Sequence, residues 1–231
     1  MTALDPFGVV VADPPWQYRN YTDSAHGAAA SAYDTMDLAA LSVIPVPSWA
    51  APDSVLALWG TWPKLDEAVA LLRAWGFAYV TGIPWVKTSP ASRSIYCGVG
   101  FWTQSASEIL LFGTRGNPKT RDVSPVRGFL IGDDRQFYAP RNRKHSRKPL
   151  DVHTWLEAKF PGPYLELFAT KRHPGWTCWG RSLGFELTPG GVSEQSRPAK
   201  SPRLEEYGSL APSSSDAPAL RRMGGDARRT G

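Results

Sequence analysis

The chain has 231 residues, 42% of them apolar and 12% aromatic with 10 Trp, far too much buriable surface for an intrinsically disordered chain. It carries a net charge of +5 and only two cysteines, Cys97 and Cys178, with no CxxC pair and no His/Cys cluster at metal-ligand spacing. A disulfide framework and a zinc module are therefore excluded, no metal is expected, and the lack of any run of ~18 apolar residues points to a soluble, cytoplasmic protein that does not enter membranes.

In chain order, the apolar run Phe7 to Ala12 predicts a buried strand and Met36 to Val43 a weak helix. Val55 to Trp59 predicts a second strand. Pro63 then opens a helix at its first position, with Leu65, Ala68, Val69, Leu72 and Trp75 on one face and Gly76 ending it. Phe77 to Val86 and Glu108 to Phe112 predict two further strands. Pro149 opens a helix that runs to about Phe160 and stops at Pro161-Gly162, and Tyr164 to Phe168 predicts a last strand. Trp59, Trp62, Trp75 and Trp155 are expected in the core, and the two cysteines as reduced structural residues.

Near-continuous apolar strands alternating with helices argue for an α/β sandwich on a mostly parallel sheet. Ligands in such sheets bind beyond the carboxyl ends of the strands, so the loops after Ala12, Trp59, Val86, Phe112 and Phe168 are where chemistry is expected. No GxGxxG or GxxxxGK[ST] loop is present, so an ordinary dinucleotide or P-loop site is not indicated. From Pro189 to Gly231 the composition turns to Pro, Gly and Ser with no Trp, which predicts a disordered tail after a folded region 1–188.

Ten Lys and Arg but only three acids lie between Thr114 and Lys148, on a core that is otherwise acidic. Such a segment is either a solvated face or the place where phosphates dock, and the second reading singles out Arg141, Arg143 and Lys144.

The first strand ends in Ala12-Asp13-Pro14-Pro15-Trp16. Two prolines fix two successive φ angles and remove two N–H donors, leaving a stiff arm of bare carbonyls behind a carboxylate. Beside an adenine, Asp13 could accept one hydrogen of the exocyclic amine, the Pro14 carbonyl the other, and Trp16 or another aromatic ring could stack on the purine. Accepting both hydrogens frees the amine lone pair, and the carboxylate stabilises the positive charge that grows on nitrogen. Alternatively, Asp13 caps a helix with Pro14 at its first position.

Further short motifs follow in order: Tyr33-Asp34-Thr35-Met36, Leu58-Trp59, Trp85-Val86-Lys87-Thr88, Gly100-Phe101-Trp102, Glu108 to Gly113, His145 to Pro149, Phe160-Pro161-Gly162, and Glu166 to Ala169 leading to Gly175-Trp176 and Trp179-Gly180. With Asp13 to Trp16 this set, across residues 7 to 187, resembles the DPPW-type adenine-N6 methyltransferases, which include messenger-RNA N6-methyladenosine writers and bacterial and phage DNA methylases. The resemblance implies a Rossmann-like methyltransferase domain, with the catalytic motif N-terminal to the cofactor half, that uses S-adenosylmethionine. It implies that Asp13, Pro14, Pro15 and Trp16 are catalytic and that Tyr33, Trp102 and Glu108 lie near the substrate. Asp13, Lys148, Glu166, Phe168, Lys171, Arg172 and His173 are implied on the cofactor side, with transfer in line from sulfur to nitrogen.

The sequence departs from the family pattern in three places. Few residues precede Asp13 to supply the family's upstream cofactor acid, Lys171-Arg172-His173 is a shortened stretch, and Arg181 stands where many relatives carry Asn. The implied function is methyl transfer to adenine N6 in nucleic acid, DNA before RNA, by a homodimer or with a partner subunit. The alternatives are the same reaction on RNA and a catalytically silent nucleic-acid-binding partner, against which the intact Asp13 motif speaks.

Overall fold

A computed structural model describes residues 6–18, 35–88, 95, 97, 102–121, 130–133, 148 and 151–194, with the backbone alone at 130–133 and 151. Seven strands form one sheet in the order β5-β3-β4-β2-β1-β6-β7. They are β1 (Phe7–Ala12), β2 (Ala50–Gly60), β3 (Ala78–Thr88), β4 (Ser107–Arg115), β5 (Leu130–Asp133), β6 (Tyr164–Leu167) and β7 (Trp176–Trp179). A separate hairpin joins β8 (Phe185–Thr188) to β9 (Gly191–Glu194).

Side-chain alternation along the strands builds two cores. Val10, Ala12, Leu56, Leu58, Leu111, Leu165 and Leu167 face the helices α1 (Leu38–Ser42) and α3 (Leu65–Ala74), which bring Leu41, Ala68, Leu71 and Leu72. Val9, Val11, Ala57, Trp59, Leu110 and Phe112 face α4 (Asp151–Lys159), which brings Val152 and Leu156. A short α2 (Val46–Trp49) leads into β2. Asp37 caps α1 by accepting the Ala40 N–H, and Gly76 takes the left-handed φ of +80° that closes the turn after α3.

Trp59 and Trp75 are buried as expected, whereas Trp62 is 46% exposed because it sits in the 3-10 turn ahead of α3 and donates its Nε1–H to Ser107. The expected tail also needs correcting at its start: residues 191–194 are β9, paired with β8, so the boundary after Thr188 cuts a hairpin. The rest of the tail, residues 195–231, lies outside the described residues. Among the described residues no helix is long and apolar enough to cross a membrane.

One strand direction decides the site. β1 is parallel to β2 and β6, and β6 to β7, but β4 is antiparallel to both β2 and β3. The sheet is mostly parallel, yet the loop after Phe112 leaves from the edge opposite Asp13, against expectation, and the beginning of β4 takes its place. Gly60 at the end of β2 pairs with Ile109, so Glu108 emerges beside the ends of β1 and β2.

Candidate active site

Asp13 follows β1 at the carboxyl edge of the sheet, where the neighbours of β1 diverge to β2 on one side and β6 on the other. No helix begins at Asp13, so the capping alternative falls away. The two prolines carry the chain to Trp16, which pairs with Met36. The carbonyls of this arm are not bare, as the sequence reading expected: Trp16 N–H donates to Pro14 O at 2.9 Å and Met36 N–H to Pro15 O at 2.8 Å. A carbonyl has two lone pairs, so Pro14 O can still accept one more hydrogen. Trp16 is 5% exposed and donates Nε1–H to the Trp59 carbonyl at 3.1 Å, so its ring anchors the arm to the end of β2 instead of offering a face for stacking.

Lys148 is the hub of the charges here. Its Nζ lies 2.8 Å from Asp13 Oδ2 and 3.3 Å from Glu108 Oε2, and 5.5 Å over the Trp59 ring. Glu108, 8% exposed, accepts a second cation, Lys87 Nζ, at 2.6 Å. Burial alone would lower the Lys148 pKa, but the two carboxylates outweigh it and push it up, so the ammonium is fixed. For Glu108 burial is likewise outweighed, by Lys148 and Lys87, and its carboxyl is held below its ordinary value. Asp13 goes the other way: burial, only partly offset by Lys148 and reinforced by the nearby Glu108 and Glu166 charges, raises it.

Across β1, Glu166 on β6 faces the α4 layer together with His153 of α4 and His173 of the following loop. Phe168, directly after β6, is held at a φ of +60°, and Trp102 at +63°. Left-handed backbone is costly for a bulky residue and concentrates at functional sites. Trp102 is fully exposed, which leaves both of its faces to a ligand and rules out packing. Lys171 and Arg172 lie on the same loop as His173, with the Arg172 guanidinium 5.9 Å over the Phe185 ring. The Trp179-Gly180 motif follows β7; a Cβ on Gly180 would collide with the backbone of Phe168 and Ala169, so the glycine lets the two loops touch.

The structure thus brings together Asp13, Pro14, Pro15, Trp16, Glu108 and Lys148, with Glu166, Phe168 and His173 one strand away. Tyr33, Arg141, Arg143 and Lys144 lie outside the described residues. Of the rest of the basic segment, Arg115 donates to Pro47 O and Arg121 to Glu157 O, both structural roles. Sequence reading missed Lys87, although it stands in the Trp85 to Thr88 motif; the antiparallel pairing of Trp85 with Glu108 supplies the reason for its position. It also missed His153, whose neighbours come from β6 and β7.

The MT-A70 family model matches residues 7–182. The chain belongs to the MT-A70 family. The mostly parallel sheet with helices on both faces is the S-adenosylmethionine-dependent methyltransferase fold, and MT-A70 methyltransferases use that cofactor. Similar proteins include an N(6)-adenosine-methyltransferase MT-A70-like protein of Arabidopsis thaliana, 32% identical over 79% of this chain and 24% of that protein. The catalytic subunit METTL3 of Homo sapiens is 31% identical over 79% of this chain and 29% of its own length. The Type II methyltransferase M.MunI of Mycoplasma sp is 30% identical over 77% of this chain and 78% of that protein. The chain spans about a quarter of the length of the plant relatives it matches.

Proposed function

We propose that this MT-A70 chain transfers a methyl group from S-adenosylmethionine to the exocyclic N6 amine of adenine in DNA. The observation that carries the reading is the Asp13 carboxylate, set at the carboxyl end of β1 by two prolines and held by the Lys148 ammonium at 2.8 Å.

The donor set fits the cofactor. An amino-acid moiety carries one carboxylate and one ammonium, and the Lys148–Asp13 pair offers the opposite charge to each. Phe168, Lys171 and Arg172 on the loop after β6 would line the remainder, with Glu166 and His173 beside them. S-adenosylmethionine supplies a methyl group on a positively charged sulfur. Asp13 accepts a hydrogen from the adenine amine and faces the charge that develops on nitrogen, Pro14 O accepts the second hydrogen, and Trp102 at the rim offers a face for stacking. Trp16 keeps the arm in place through Trp59. Glu108, with Lys87 behind it, fixes the Lys148 ammonium, so Asp13 stays oriented without being neutralised by proton transfer.

DNA is favoured over RNA because the M.MunI match extends over most of both proteins. A paired target adenine would have to be flipped out of the duplex, which makes single strands the better substrate. Arg141, Arg143 and Lys144 are proposed to hold the phosphate backbone and Tyr33 the base, and a second copy or a partner subunit to complete the binding surface. The test incubates the chain with methyl-labelled S-adenosylmethionine and separate DNA and RNA pools, followed by nucleoside mass spectrometry. N6-methyldeoxyadenosine from the DNA pool is the expected product. Label confined to RNA overturns the choice of polymer, and label in neither overturns the activity.

A further inference from the structure

Trp62 stands in the turn that leaves the carboxyl end of β2, next to the end of β1 and Asp13, and the proposed chemistry leaves it without a task. Its indole is half exposed yet held in one place. Nε1–H donates to Ser107 Oγ at 2.8 Å, at the start of β4, and Pro63 fixes the backbone that follows. The turn is also clamped to the arm that carries Asp13. Trp16 Nε1–H donates to the Trp59 carbonyl, Tyr18 Oη and Thr61 Oγ1 share a hydrogen bond of 2.7 Å, and Lys64 Nζ lies 5.9 Å over the Tyr18 ring. Whatever lies on Trp62 is therefore kept in a fixed relation to whatever lies against Asp13.

Beside the ring, Leu65, Val69 and Ala70 of α3 line an open groove of about 600 Å³, with Asp66 and Arg73 at its margin. The walls are apolar and the two marginal charges are opposite, so the groove suits a flat, uncharged ring and gives a phosphate no advantage. Side chains alternate along β4, so Ser107 and Glu108 point to opposite faces: Ser107 meets Trp62, and Glu108 meets Lys148 beside Asp13. The start of β4 is a ridge with the proposed adenine site on one flank and Trp62 on the other.

We propose that Trp62 is a stacking platform for an unpaired nucleobase flanking the target adenine, which lies in the groove beside α3 while the adenine lies against Asp13. The proposal rests on the methyl-transfer reading and adds to it a device that selects single strands. A strand crossing the ridge has to splay its bases to opposite sides, which an unpaired strand does freely. In a duplex the flanking base is stacked and paired, and both contacts would have to be given up. Every base has a π-face, so the platform senses strandedness and not base identity. Asp66 at the margin keeps the backbone phosphates away from the groove and leaves it to the base.

The test uses the full chain and short single-stranded DNA pools with a fixed central adenine and randomised flanks, together with the same pools carrying an abasic site at each neighbouring position in turn. Binding is followed by fluorescence anisotropy and transfer by release of label from S-adenosylmethionine. Trp62→Ala should weaken binding and raise KM by roughly five- to a hundredfold, the range of one base–aromatic stack, with kcat within a few-fold. One abasic position should weaken the unaltered chain by a similar factor and have no further effect in Trp62→Ala, the mark of a direct pair. Trp62→Phe should keep most of the affinity. Should Trp62→Ala fail to fold, Trp62→Leu, which keeps the apolar bulk and removes the ring's stacking face, takes its place in the same cycle. Methylation by the unaltered chain with binding and KM unchanged in the ring-less variant overturns the platform alone, as does an abasic scan that is flat or adds in full to the variant. No methylation by the unaltered chain overturns the reading on which the platform rests, and the platform with it.

Discussion

Two clusters of ionisable side chains lie on either side of β1, and they are built on opposite plans. Around Asp13 the charges of the described residues cancel: two carboxylates, Asp13 and Glu108, are met by two ammonium groups, Lys148 and Lys87. Around Glu166 the partners are two imidazoles, His153 and His173, and burial together with the neighbouring His153 holds the His173 pKa below its ordinary value. The first cluster is complete in the folded chain and ready to exchange one partner for a ligand of the same charge. The second sets imidazoles against its acid instead of ammonium groups.

The sharpest way to break this comparison is Asp13→Ala, which should lower single-turnover methyl transfer at saturating cofactor by about 10³-fold or more. Asp13→Asn should keep a trace, because an amide oxygen still accepts one hydrogen. Near-native transfer by Asp13→Ala would sink the proposed mechanism.

Next in size is Lys148→Met. It leaves the buried Glu108 and Asp13, whose side chain is 31% exposed, with Lys87 on Glu108, and the loss should stay below the about 3–5 kcal/mol of breaking a fully buried pair. The denaturant midpoint should fall accordingly. The same change should move the acid limb of the rate profile. Asp13 must be ionised to accept the amine hydrogen, and its raised pKa already places that limb above the ordinary carboxylate value. Losing Lys148 removes the cation that lowers it, so the limb shifts to higher pH still. A limb that stays put would show that Lys148 does not set the Asp13 charge.

Smaller effects separate the members of the cluster. Lys87→Met removes one of the two cations on Glu108, and with a Lys87 side chain 29% exposed the loss should be about 1 kcal/mol. Its pH signature is the better reading. The carboxyl of Glu108 is depressed in the folded chain, so its stabilisation is present above its unfolded pKa and is lost as pH falls through the folded one. In Lys87→Met the folded value rises, so that loss should be smaller and complete at higher pH. Least of all, Arg115→Ala at the far end of β4 removes one hydrogen bond to Pro47 O, worth about 1 kcal/mol, and should leave transfer within twofold.

How far the sequence predicted this arrangement depends on how local each signal is. The apolar runs 7–12, 55–59 and 164–168 fall on strands because burial on both faces of a sheet removes polar alternation, and that is a property of each segment alone. Asp13 was legible for the same reason, since two prolines after a strand end admit few conformations. The direction of β4 was not, because an apolar run reads the same in a parallel or an antiparallel neighbour; with the wrong direction, Glu108 has no reason to meet Lys148. The role of Trp16 was misread because its Nε1 partner is the backbone of Trp59, 43 residues away. The short strands β5 and β7 and the hairpin Phe185 to Glu194 were passed over, being four-residue pieces whose partners alone define them. His153 is invisible in one dimension, as its neighbours come from β6, β7 and a loop.

The reversed strand has a consequence for how such a scaffold diversifies. Because β4 runs back between β2 and β3, the connection from β3 to β4 opens at the reactive edge, while the two strands it joins are paired to each other along most of their length. A segment bounded by two directly paired strands can be lengthened, shortened or exchanged without re-registering the sheet. This connection, which carries Trp102 and leads into Glu108, can therefore change in length without moving the strands that hold Lys87 and Glu108.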